Sequence, residues 1–288
     1  MVGTAPTPCG GCLHCKINKR RLWSFRMFLE SQLHAQNSFV TLTYNDDFLP
    51  ANYSLDKSAI RKFMDKLRKQ LYPRKIRYFG VGEYGDNSQR PHYHLILFGA
   101  DHNDTAAVEA AWRVRKDGCY QSQGFVQVAE FNEHTAQYVC GYTIKKLDDP
   151  GDPRLLPGQI PEFARMSNRP GIGRDALFQI AEALRSPVGQ RELQRLGDVP
   201  KALKFGGKSM PLGRYLVSKL REELEFSEEE REASIRRWQE EAAGKMLVLL
   251  EGDEADALSF SQLTSRENAA KMASNEARYS IFKQRKSL

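Results

Sequence analysis

Arg90-Pro91-His92-Tyr93-His94-Leu95-Ile96-Leu97-Phe98 is the stretch on which the reading of this chain turns. Its β-branched and aromatic content and its apolar run predict a buried strand. Along a strand, residues i and i+2 share a face, so His92 and His94 present two imidazoles side by side. Upstream, Ile76 to Tyr84 reads as a second strand, and Gly85-Asp86-Asn87-Ser88 between the two suits a hairpin turn. Glu83 then stands near the turn, where its carboxylate reaches across to the histidines.

Working outward, Ser38-Phe39-Val40-Thr41-Leu42-Thr43-Tyr44 predicts another strand, stopped by Asn45-Asp46-Asp47. Two helical periods flank it. Leu22, Phe25, Leu29 and Leu33 form an apolar stripe over about Lys16–Ala35, and Ala59, Ile60, Phe63, Met64, Leu67 and Leu71 form another over Leu55–Leu71. A short helix at Thr105–Val114, a strand at Phe125–Glu130 and a helix from about Glu133 to Leu147 complete the order β-α-β-β-α-β. That order predicts an α+β fold: an antiparallel, ferredoxin-like sheet with helices packed on one face. Composition changes at Asp148, where Pro and Gly crowd the chain. The expected organisation is a domain over residues 1–150, a Pro/Gly-rich connecting loop over 151–175, and a mostly helical region over 176–288.

Composition narrows the function classes. The 288 residues carry 43 Lys+Arg against 36 Asp+Glu, a net charge of +7, so a polyanion is a plausible partner. No apolar run approaches the ~20 residues of a membrane span, and the first residues lack the grammar of a secretory signal, so no membrane association is expected. Of five cysteines, Cys9, Cys12 and Cys15 cluster with a spacing that fits thiolate ligation of Zn²⁺ but show no evident fourth ligand; a reduced, packed cluster is the other reading. Lys16, Lys19, Arg20 and Arg21 on the first helix, and Arg61, Lys62 and Lys66 on the second, are candidates for contacts to DNA phosphates; solvated basic faces are the alternative.

Two imidazoles and a carboxylate form an open ligand set suited to Mg²⁺, Mn²⁺ or Zn²⁺ with positions left for a phosphate. A His-x-His pair alone is as readily two surface histidines. A second feature shifts that balance. In Gln137-Tyr138-Val139-Cys140-Gly141-Tyr142-Thr143-Ile144-Lys145-Lys146, ~100° per residue gathers Tyr138, Tyr142, Lys145 and Lys146 on one helix face. Ala136, Val139, Cys140, Thr143 and Leu147 take the opposite, core-packing face, so the tyrosines are not needed for packing.

Together, Pro91-His92-Tyr93-His94, Phe39-Val40-Thr41-Leu42-Thr43 and Tyr138-x-x-x-Tyr142-x-x-Lys145-Lys146 resemble the HUH endonucleases, specifically their two-tyrosine rolling-circle replication initiators. Pro8-Cys9-Gly10-x-Cys12-x-x-Cys15 and Phe163-x-x-Met166-Ser167-x-x-Pro170-Gly171-Ile172-Gly173 resemble segments of the initiators of microviruses of the gokushovirus-like group. The resemblance covers roughly residues 8–175. It implies a divalent metal, Mg²⁺ or Mn²⁺, at His92, His94 and Glu83. It also implies attack by Tyr138 or Tyr142 on single-stranded origin DNA to give a 5′-phosphotyrosine, with Lys145 or Lys146 steadying the phosphoryl charge or deprotonating the tyrosine. The expected setting is the cytoplasm of a bacterial host, with a host helicase and polymerase as partners.

Rival readings are a non-catalytic single-stranded DNA-binding or packaging protein on the same sheet, and an RNA-binding module, which would place aromatics where His92 and His94 stand. Ala202-Leu203-Lys204-Phe205-Gly206-Gly207-Lys208-Ser209 nearly spells a phosphate-binding P-loop, but lacks the first glycine and a convincing strand before it, which argues against nucleotide hydrolysis.

Overall fold

A computed structural model of the chain describes residues 13–85, 88–132, 135, 139, 141, 151–237, 240, 269, 273, 276, 277 and 280. Helix α1 (Leu13–Ser31) leads into strand β1 (Asn37–Thr43), then α2 (Ala59–Gln70), β2 (Arg77–Tyr84) and β3 (Pro91–Phe98). After α3 (Thr105–Ala111) comes a small hairpin, β4 (Arg113–Lys116) with β5 (Cys119–Ser122), and then β6 (Val126–Glu130). Further on lie β7 (Phe163–Met166), α4 (Leu177–Arg185), α5 (Pro187–Leu196), a hairpin of β8 (Ala202–Phe205) and β9 (Lys208–Pro211), and α6 (Gly213–Glu223).

The central sheet has five strands in the order β6-β1-β3-β2-β7, with every neighbouring pair antiparallel. Strand β3 is central and apolar on both sides, which dictates the layers. Tyr93, Leu95 and Leu97 join Val40 and Leu42 of β1 beneath α2, whose Ala59, Ile60, Phe63, Met64 and Leu67 are buried there. On the other face, Ile96 and Phe98 pack with Phe39, Phe79 and Val81 beneath Met27 of α1, Val139 and Ile172. Helices therefore cover both faces, not one as expected, because a strand with two apolar faces leaves neither free to meet water.

Three further departures have local causes. The hairpin β4–β5 turns on Asp117-Gly118, both at positive φ, which a search for long apolar periods passes over. The segment expected as a connecting loop supplies β7, pairing Phe79–Gly82 with Phe163–Met166 at the sheet edge. The near P-loop is the β8–β9 hairpin: Gly206 and Gly207 occupy its turn at φ 53° and 74°, a conformation that glycine adopts at no steric cost. Its strands are too short and exposed to carry a nucleotide fold, in line with the sequence argument.

Helix α1 serves two cores. Met27 packs on the sheet, whereas Phe25 and Leu29 pack with α4, α5 and α6 through Leu177, Ala181, Leu212, Leu216 and Leu220. Buried Glu30 locks this junction. Its carboxylate contacts the Arg77 guanidinium of β2 and His34, and accepts the Gly173 backbone N–H at 2.7 Å. Arg77 also donates to the Pro170 carbonyl at 2.8 Å, and Tyr215 of α6 accepts the Gly171 N–H at 3.0 Å. The Pro170–Gly173 segment is thus a structural tie between α1, the sheet edge and α6. No helix among the described residues is long and apolar enough to cross a membrane.

Candidate metal and nuclease site

The hairpin β2–β3 sets Glu83 directly opposite His92 and Val81 opposite His94, while β1 sets Thr43 opposite His92 and Thr41 opposite His94. All of these side chains project from one sheet face, the face covered further along by α1. The two imidazoles lie parallel, with ring centroids 6.5 Å apart and planes 4° from coplanar orientation. On its other side, His94 stacks on Phe39 at 5.7 Å. The pair is thus held by strand geometry and an aromatic neighbour, and His94 is only 6% exposed.

Hydrogen bonds orient His94 at both ring nitrogens. Glu83 Oε1 lies 2.8 Å from Nε2, and Thr41 Oγ1 lies 3.0 Å from Nδ1. A carboxylate only accepts, so in the neutral ring Nε2 donates to Glu83 and Nδ1 accepts the threonine hydroxyl. Thr41 is a site residue that the sequence reading missed. It stands inside the quoted Phe39–Thr43 strand, but only the register of β1 against β3 brings it to His94.

His92 is half-buried, and its Nδ1 has no partner among the described residues. Burial pushes its pKa below the ordinary histidine value, with the neighbouring His94 acting in the same direction. Both effects favour the neutral ring, which is the form that binds a metal. Gly85 lets the ring lie this close: a Cβ there would sit 3.0 Å from His92 Cε1.

Two imidazoles and a carboxylate on rigid strands, one imidazole with an orphaned buried nitrogen, are chemically fitted to a divalent cation. Yet among the described residues no group of three or more His, Cys, Asp or Glu side chains is arranged to hold a metal ion. The Nε2 that His94 would offer is engaged by Glu83.

The remaining candidates fall as follows. Tyr138, Tyr142, Lys145 and Lys146 lie outside the described residues, as do Cys9 and Cys12. Residues 135, 139 and 141 are helical, and Val139 is fully buried against the His-bearing face of the sheet, as its expected core-facing position requires. Cys15 is half-buried in the first turns of α1. Lys16, Lys19, Arg20 and Arg21 also ride on α1; Lys19 and Arg21 are exposed, and Arg21 donates to the Ser209 carbonyl of β9 at 2.9 Å. Arg61, Lys62 and Lys66 ride on α2, which packs on the opposite face from the histidines. Lys62 pairs with Asp56 at 3.4 Å, and Lys66 contacts the Arg113 carbonyl. The structure therefore separates the two basic groups that the sequence placed together.

Residues 37–147 match a family of replication-associated proteins, the one described by its ORF2 members. The chain is similar to Replication-associated protein ORF2 of Spiroplasma virus 4, 33% identical over 180 residues, covering 58% of this chain and 55% of that protein. It is also similar to Replication-associated protein ORF4 of Chlamydia phage 1, 33% identical over 155 residues, covering 49% and 39%. Replication-associated protein VP4 of Bdellovibrio phage phiMH2K is 30% identical over 152 residues, covering 49% and 48%. The chain thus spans about half the length of the curated relatives it matches. No solved structure matches it.

Proposed function

We propose, from the match of residues 37–147 to that replication-associated protein family, that this chain starts rolling-circle replication by nicking and rejoining single-stranded origin DNA. One observation carries the reading: within that segment, His92 and His94 stand parallel on a central strand, and Glu83 and Thr41 engage both ring nitrogens of His94. The strand order β6-β1-β3-β2, antiparallel throughout, supports a ferredoxin-like, HUH-type sheet with one added edge strand.

A divalent cation, Mg²⁺ or Mn²⁺, held by His92, His94 and Glu83 would polarise the scissile phosphate. The protein's own groups do the rest. The Tyr138 or Tyr142 hydroxyl attacks phosphorus; the Oη–P bond forms as the P–O3′ bond breaks, and the phenolic proton ends on the departing 3′ oxygen. The products are a 5′-phosphotyrosine and a free 3′-OH that primes synthesis. Because one ester replaces another, joining needs no nucleotide triphosphate. The second tyrosine cuts the regenerated origin, and the released 3′-OH attacks the first phosphotyrosine to close a circle. Lys145 or Lys146 meets the phosphoryl charge. Strand separation and extension fall to a host helicase and polymerase in the bacterial cytoplasm.

The test is to incubate the chain with labelled single-stranded origin DNA and Mn²⁺ and to run a denaturing gel. A covalent adduct is expected, and it should disappear in the combined Tyr138→Phe, Tyr142→Phe variant. His92→Ala with His94→Ala should still bind DNA in a salt-sensitive way but no longer cut it. Binding without any adduct in the parent would favour the second reading, a non-catalytic single-stranded DNA-binding or packaging protein, which the basic surface of α1 alone would satisfy.

A further inference from the structure

At the opposite end of the sheet from His92, a cavity of about 440 Å³ opens between α1, the start of β1 and the β8–β9 hairpin. Its size falls in the range of small-ligand sites. Phe28, Phe131 and Phe205 line it together with Ser24, Gln32 and Asn37. Phe28 and Phe205 approach to 4.3 Å between centroids, tilted by 47°, and Phe205 remains 50% exposed. An aromatic side chain held half in water at the rim of a cavity is a surface waiting for another flat ring.

The polar lining points the same way. Asn37 Nδ2 donates to two carbonyls, those of Ser31 at 3.2 Å and His34 at 3.0 Å. Those bonds fix the amide's orientation and leave its buried Oδ1 as an acceptor with no donor among the described residues. The buried Ser24 Oγ is likewise without a partner there. Unused buried acceptors cost free energy unless a ligand N–H supplies the bond. Outside the cavity the charge is positive. Lys208 lies directly opposite Phe205 in the hairpin and Lys204 precedes it, both exposed, and Arg21 of α1 is tied to the hairpin at Ser209.

We infer that this cavity receives one unpaired nucleobase of a single DNA strand. The base stacks on Phe28 and Phe205, a base N–H donates to Asn37 Oδ1, and the adjoining phosphates face Lys204 and Lys208. The inference rests on the DNA reading above but not on its chemistry. β1 pairs Asn37 with Phe98, six residues along β3 from His92, so cavity and imidazoles are separated by ~20 Å along the strand. A base anchored at that distance fixes the register of the strand relative to the cutting site, with several nucleotides between the two.

The test uses the full chain and two labelled single strands of equal length, one carrying all its bases and one abasic throughout, with affinities read by fluorescence anisotropy. Stacking a base on an aromatic changes affinity by about fivefold to a hundredfold. The base-bearing strand should bind the parent more tightly by at least the lower figure. Phe205→Ala, which removes a half-exposed ring, should erase that preference and leave the abasic strand's affinity unchanged. Photo-crosslinking with a 5-iododeoxyuridine strand should label peptides containing Phe28 or Phe205. Equal binding of both strands by the parent would overturn the cavity's role and leave the DNA reading standing. A preference that survives Phe205→Ala, with crosslinks elsewhere, would overturn it as well. Failure of both strands to bind would overturn both readings.

Discussion

Glu83 faces His92 in the β2–β3 register, yet its carboxylate reaches past that neighbour to His94, 2.8 Å from Nε2. A carboxylate that caps the coordinating nitrogen of one histidine while standing beside the other is placed to exchange its hydrogen bond for a cation. Glu83→Gln keeps the shape and can still hydrogen-bond His94, but it removes the negative charge. The expected result is metal affinity and nicking reduced by ~10–100-fold, with activity restored by raising Mn²⁺. Titrating nicking against Mn²⁺ for parent and variant checks this; superimposable curves would reduce Glu83 to a turn carboxylate.

Thr41 is the other restraint on the same ring. With Glu83 on Nε2, its hydroxyl donates to Nδ1. With Nε2 engaged by a cation, the ring proton moves to Nδ1 and the hydroxyl can rotate to accept it. Thr41→Val keeps the β-branched shape and removes only that choice. Thermal stability should change by less than about 1.5 kcal/mol, whereas Mn²⁺ affinity measured by calorimetry should fall by ~10-fold. An unchanged Mn²⁺ affinity would mean that strand packing and Phe39 suffice to hold His94.

Two tyrosines matter only for repeated action. Tyr138→Phe or Tyr142→Phe leaves one hydroxyl able to attack a single phosphate, so single-turnover nicking should persist in at least one variant. Circle release over many rounds should fail in both, because the second cut needs a nucleophile while the first is esterified. Counting closed circles per enzyme against time separates the cases; multi-round release by both variants would contradict a two-tyrosine cycle.

The sheet's four expected strands, both early helices and the pairing of Glu83 with the histidines were legible because each rests on a local period of two or ~100° per residue. What escaped had no such period. The strands of β4–β5 and β8–β9 are four residues long and carry exposed, charged side chains, so their existence rests on turn residues such as Gly206-Gly207. β7 lies among prolines and forms only because Phe79–Gly82 leaves an open edge for it. Thr41 could be placed on the correct face by parity, but its contact with His94 depends on a register between strands about fifty residues apart. The double use of α1 was hidden as well: its stripe of Leu22, Phe25, Leu29 and Leu33 was visible, whereas Met27, which meets the sheet, lies off that stripe.

Glu30 carries that second contact of α1, and its charge state should set the acid limit of the fold. Burial alone would raise its pKa, but hydrogen bonds from His34 and the Gly173 N–H, together with the Arg77 charge, hold it below the ordinary value of 4.5. A carboxyl whose folded pKa is depressed binds protons more readily when unfolded. Its contribution is therefore complete above about pH 4.5 and is lost as the pH falls through the lower folded value. Glu30→Gln removes a buried charge that three donors share and leaves Arg77 under-compensated, so a loss of about 2 kcal/mol is expected at neutral pH. Denaturant midpoints for parent and variant should differ most near pH 7 and converge below pH 4.5, because the parent's carboxyl then becomes neutral as well. A gap independent of pH would show that shape, rather than charge, holds α1 to the sheet and to the Pro170–Gly173 tie.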